Sequence, residues 1–128
     1  MIQIDIQDFI TPALQHMSHN LSTLPMADIA QLMVDSVHQN FLDEGRPNAW
    51  APRVEPTGSW PLLRKTDTLY NSIYPTISGT EITVDAGEYY GSYLDQGTSK
   101  MVARPFLLLQ GEDERRIEEL IDRHMGQI

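Results

Sequence analysis

Cysteine is absent from the 128 residues, which removes disulfide staples, thiolate zinc sites and cysteine nucleophiles together. Long apolar runs are missing too. Nothing approaches the roughly 18 to 20 continuous apolar residues of a membrane span, so no membrane partner is expected. The opening Met1-Ile2-Gln3-Ile4-Asp5 lacks the basic stretch of a signal peptide, and export by the standard route is not expected. Positive charge is scarce: nine Lys and Arg stand against eighteen Asp and Glu, leaving a net charge of −9. That balance disfavours a phosphate-tracking surface and hence a specific nucleic-acid ligand. The scarcity is uneven, because residues 1–45 hold no Lys or Arg, whereas Arg46, Arg53, Arg64 and Lys65 crowd the following twenty positions.

Catalytic patterns are also lacking. There is no Gly-x-Ser-x-Gly elbow, phosphate-binding glycine loop or His-Glu-x-x-His pair, and an enzyme is not expected. A small hydrolase would need a buried polar cluster, which no pattern in the chain reveals. His16 and His19 share a helical spacing, and His38 lies further on, but no third and fourth ligand converges with them. They read as surface histidines, with no metal and no cofactor implied. Adjacent carboxylates at Asp43-Glu44 and Glu112-Asp113-Glu114 point in different directions on a helix and read as helix-end residues, not as an acid/base pair.

What is present describes a foldable chain: 41% hydrophobic and 21% charged residues, within the size of one domain over 1–128. Ile2, Ile4 and Ile6 alternate with polar residues and predict a short half-buried strand. Thr11-Pro12 reads as a cap and first residue of a short helix with Leu14, Met17 and Leu21 on one side. A stronger helix is expected over 26–42, with Ile29, Leu32, Met33, Val37 and Phe41 on one face, closed by Gly45 in the left-handed conformation. Pro47, Pro52, Pro56 and Pro61 with Gly58 make residues 46–61 a long proline-rich loop. Residues 65–72 are helical or extended. Residues 73–77 and 81–85 predict a hairpin turning through Ser78-Gly79-Thr80, and residues 96–100 another turn. An apolar run over 104–109 precedes an acidic-fronted helix over 112–125, whose narrow apolar face is Ile117, Leu120, Ile121 and His124 or Met125. The fold class is α+β, with helices on an antiparallel sheet.

Large aromatics with a polar handle favour interfaces. Trp50 and Trp60 are the two tryptophans, and Tyr89, Tyr90 and Tyr93 cluster. Trp50, Trp60, Tyr90, Tyr93, Lys100 and Arg104 are therefore the candidate assembly residues. Trp50 could equally pack its loop onto the core, and Arg104 could equally orient the turn before Pro105.

In order along the chain, several landmarks resemble the phage virion morphogenesis family, the tail-completion proteins of Mu-type and related tailed phages. The landmarks are the helix ending in Phe41, Gly45-Arg46-Pro47 with Trp50-Ala51-Pro52, and Leu63 with Thr66, Leu69, Ser72 and Ile73. Tyr90-Gly91-Ser92-Tyr93-Leu94 through Gly97-Thr98, and Ala103-Arg104-Pro105-Phe106-Leu107 before a closing helix, complete them. The likeness spans residues 26–125. Asp67 stands where the family usually has glycine, and Asp95-Gln96 where it more often has His-Gln. The resemblance implies a structural virion protein at the neck or tail end, completing the tail and aiding head-tail joining as a homo-oligomeric ring against tail-tube or head-connector proteins. It would be made in the bacterial cytoplasm from a phage or prophage gene, with no catalytic residue. Residues 46–61 and 96–102 are the expected contact arms, mobile before assembly. The rival expectation is a small adaptor that binds one host protein through exposed aromatics.

Overall fold

A computed structural model describes residues 1–9, 24–53 and 60–125. The helix expected near Thr11 to Leu21, and residues 54–59 of the proline-rich loop, lie outside the described residues. Strand β1 (Ile2–Asp5) runs into a single 3-10 turn (Ile6–Phe9), and helix α1 spans Met26–Leu42. A one-turn helix α2 (Thr68–Asn71) leads into strands β2 (Ile73–Ser78) and β3 (Glu81–Ala86). Helices α3 (Gly91–Gln96) and α4 (Gly111–Met125) complete the order. The class is α+β, as the alternation of periods in the sequence predicts.

The three strands form an antiparallel sheet in the order β1-β3-β2. Register follows from the pleat. Ile2 faces Val84, Ile4 and Ile77 flank Ile82, and Ile73 faces Ala86, so one side of the sheet is apolar while Gln3, Thr76 and Thr83 occupy the other. The hairpin closes through Gly79-Thr80, with Gly79 at φ 59° in the first turn position, where a II′ turn demands glycine. Counting back from the Ser78–Glu81 pair, Pro75 falls at a non-hydrogen-bonded pair of an edge strand, the site where a missing N–H leaves the ladder intact.

Helix α1 lies across β2 and β3 and also packs on α4. Its Ile29, Met33, Val37 and Phe41 are fully buried, together with Ile82 and Val84 of β3 and Ile117 and Ile121 of α4. Each such side chain contributes roughly 1.5–3 kcal/mol on burial. Leu32 and Leu120, expected on the apolar faces, are only partly buried at the edge of this core.

The end of α1 differs in detail from expectation. The left-handed residue is Glu44 (φ 51°), not Gly45, and the amides of Glu44 and Gly45 bond the carbonyls of Phe41 and Asn40 in a Schellman arrangement. Gly45, at φ 114°, is required for another reason: a Cβ there would stand 2.5 Å from the Asn48 carbonyl oxygen and 2.6 Å from the Trp50 amide nitrogen. Both obstacles are backbone and cannot rotate away. Gly45→Ala should therefore destabilise the fold by about 2 kcal/mol, given the size of positive-φ strain. Urea denaturation checks this, and an unchanged midpoint would mean that the chain after α1 has another path.

Candidate assembly surface

Trp50-Ala51-Pro52 and Arg104-Pro105-Phe106, more than fifty residues apart, clasp one another. The Trp50 indole donates to the Pro105 carbonyl at 2.9 Å, and the Arg104 guanidinium donates to the carbonyls of Ala51 (3.0 Å) and Pro52 (3.3 Å). Phe106 is buried against Phe41, and Phe41 also meets Trp50 and Tyr70 edge-on. Asp95, at the end of α3, accepts the amides of Phe106 and Leu107 and so holds this segment in place.

Two of the candidate assembly residues have internal roles in this geometry. Trp50 is only 6% exposed and serves as a core residue, because its ring fills the space beside Phe41 and its one donor is satisfied internally. Arg104 is half-buried, and its Nε and one Nη donate to the chain's own carbonyls, which orients the turn before Pro105. Within the arm drawn over residues 46–61, residues 46–53 are tied down by Arg46, Trp50 and Arg104. In the second arm, Thr98 and Met101 exchange backbone hydrogen bonds, and Gly97 packs on Ala103, which makes residues 97–103 a closed turn. Its tip, with Lys100, Met101 and Val102, is exposed.

The other aromatics are brought together as no spacing could foretell. Trp60 and Tyr90 line one groove of about 180 Å³, with Leu63, Lys65, Thr66, Thr68, Leu69 and Leu94 completing its walls. Leu63 (φ 63°) and Asp67 (φ 58°) both take left-handed backbone, which folds the intervening residues into a tight wall. Arg64 is bound to Asp67 at 2.8 Å and stacks over Tyr70, so it stabilises that wall. Its hydrogen bond holds the Asp67 carboxylate below the usual range, an effect that fades as pH falls through the folded-state value. Trp60 receives two cations on its ring, Arg53 at 5.3 Å and Lys65 at 4.8 Å from the centroid. Tyr93 of α3 does not line the groove and is 52% exposed, and Tyr89, edge-on to Tyr90, is 84% exposed.

At the other end of the groove, burial pushes the Tyr90 phenol above its ordinary range, with Glu88 and then Tyr89 adding to the shift. Folding disfavours the phenolate, so this contribution is present at neutral pH and is lost as pH rises through the folded-state value. Tyr90→Phe should remove a component that ionises above the usual tyrosine range in an absorbance titration. Persistence of that component in the variant would contradict the assignment.

A second, wider cleft of about 420 Å³ lies between α1 and α4, with Asp28, Asp35, Gln39, Arg46 and Arg116 around it and Ser36 and Asp113 at its floor. This is a buried polar cluster that sequence patterns did not reveal. Ser36 donates to Asp113, Arg46 donates to Ser36 and Asn40, and Asn40 donates to the carbonyls of Phe106 and Leu108. Asp113 also accepts the Gln110 amide and caps the start of α4. The members are thereby occupied with one another: among the described residues every buried side-chain nitrogen or oxygen has a partner. Also among the described residues, no group of three His, Cys, Asp or Glu could hold a metal ion, and no helix is long and apolar enough to cross a membrane. The only advance signal for the cluster was the Ser36 and Asn40 pair, one turn apart beside the apolar stripe of α1. No protein-family model, curated protein or solved structure matches the chain.

Proposed function

We propose that the chain is a structural, non-enzymatic subunit at the neck or tail end of a tailed-phage virion, completing the tail and aiding head-tail joining within a ring. The observation that carries this reading is the clasp between Trp50-Ala51-Pro52 and Arg104-Pro105-Phe106. Two sequence landmarks of the resemblance form one structural unit. Asp67 adds support: it stands at a position where the family usually has glycine, and it adopts the left-handed backbone that glycine would take without strain. The groove at Trp60 and Tyr90 and the exposed tip at Lys100 to Val102 are the surfaces offered to neighbours.

Electron microscopy of particles lacking the protein tests the reading. Tails of normal length, detached from filled heads, are the expected result. Intact, infectious virions would overturn it. A chain that stays monomeric in solution while holding one host protein through Trp60 and Tyr90 would favour an adaptor instead.

A further inference from the structure

Positive charge is rare on this protein, and two of its nine cations, Arg53 and Lys65, meet at the Trp60 ring beside the groove. Arg64 is taken up by Asp67 and Tyr70, but Lys65 is exposed and holds its ammonium over the Trp60 ring. Arg53 approaches the same ring and donates to the Trp60 carbonyl. The exposed hydroxyls of Thr66 and Thr68 sit 2.8 Å apart beside them. A cation fixed on an indole face next to an apolar slot suits a carboxylate carried on an amphipathic surface.

Helix α4 has such a surface. Glu114, Glu118 and Asp122 recur every fourth residue and are all exposed, a row with roughly 6 Å between neighbours. The ion pairs among the described residues, Arg64–Asp67 and Arg116–Glu112, involve none of the three. The row alone would be a solvated face. It gains meaning from the groove, because α4 packs on α1 and the 3-10 turn, whereas the groove is built from residues 60–69 with α3. Helix α4 holds six carboxylates against Arg115, Arg116 and Arg123, so one subunit carries a cationic groove and a separate, net-negative helix, the requirement for a head-to-tail contact.

We infer that the Trp60–Lys65 groove receives the acidic outer row of α4 from a second copy of this chain. The inference rests on the ring reading above and names the contact that would propagate it. The Lys65 ammonium and the Arg53 guanidinium meet Glu118 and its neighbours in the row, and the Trp60 ring shields the pairs from water.

Sedimentation velocity on the full chain, at low and high ionic strength, tests this with Lys65→Glu and Glu118→Lys, both at exposed positions. Circular dichroism verifies that each variant is folded. Each variant alone should self-associate at least about tenfold more weakly than the parent, and salt should weaken the parent itself. An equimolar mixture of the two should recover association, because in a head-to-tail contact every reversed groove can meet an unlike helix. Rings of unchanged mass and affinity in Lys65→Glu would overturn the inference while leaving the ring reading standing. A parent chain that stays monomeric even with tail-tube or connector proteins would overturn the ring reading itself. Capture of an acidic peptide or nucleic acid by the groove, with self-association unaffected by either variant, would also overturn the inference.

Discussion

Phe41→Ala should destabilise the protein by about 4 kcal/mol, within the range for emptying a buried phenylalanine site. Phe41 is fully buried, with ring centroids 5.0 Å from Phe106, 5.5 Å from Tyr70 and 5.9 Å from Trp50. It therefore joins the last turn of α1 to the clasp on one side and to α2 on the other. Deleting the ring opens a void that its neighbours cannot close. Trp50 is pinned by the Pro105 carbonyl, and Phe106 is pinned through its amide by Asp95. Domains of this size are stable by only about 5–15 kcal/mol, so the variant would lose a large share of its margin. Phe41→Leu, which refills much of the volume, should cost about 1–2 kcal/mol. Urea unfolding of the three proteins measures the difference. A loss under about 1 kcal/mol in Phe41→Ala would mean that the aromatic cluster relaxes freely and the clasp is not rigid.

Asn40→Leu should cost about 3 kcal/mol although it places an apolar side chain of similar size in a core. Asn40 is fully buried, and its amide donates to the carbonyls of Phe106 (2.7 Å) and Leu108 (3.0 Å) while accepting from Arg46 (2.8 Å). Leucine would leave both carbonyls and the Arg46 Nε without that partner, and each orphaned buried group costs roughly 1–3 kcal/mol. Asn40→Asp separates hydrogen bonding from volume. Its shape is unchanged and it still accepts from Arg46, but at neutral pH it has no donor for the carbonyls, so a comparable loss is expected. If Asn40→Asp were as stable as the parent, the carbonyl contacts would not be what holds residues 106–108 against α1. Phe41→Ala with Asn40→Leu should not be additive, since both release Phe106.

The parts of the fold legible in the sequence are those governed by short-range patterns. Period-two alternation found β1 and the hairpin, and period 3.6 found α1 and α4 to within a residue or two. The proline density of residues 46–61 excluded regular structure there. Helix α3 was not legible. It is six residues long and begins with glycine, too short to be stable by propensity, and it forms because neighbours require it. Gly91 is needed there since a Cβ would lie 2.9 Å from that of Ala86.

The candidate site was legible in composition but not in assignment. Trp50 and Trp60 are alike in a proline-rich loop, and only packing decides that one fills the core beside Phe41 while the other carries Arg53 and Lys65 on its face. The buried cluster of Ser36, Asn40, Arg46 and Asp113 was invisible for the same reason: its bonds cross the chain between residues as far apart as 36 and 113.

By itself, then, the sequence determined that this chain has one amphipathic helix before a proline-rich crossing, a hairpin, and an acidic helix after Arg104-Pro105-Phe106. Those outcomes depend on neighbours within a few positions and on where proline and glycine permit a turn. The tertiary structure alone decided that Trp50-Ala51-Pro52 closes on Arg104-Pro105-Phe106, that Asp95 fixes the Phe106-Leu107 end of that closure, and that Trp60 and Tyr90 share a groove. Each of these is a long-range contact whose partners are chosen by shape and by the satisfaction of buried donors and acceptors, which exist only once the helices lie on the sheet.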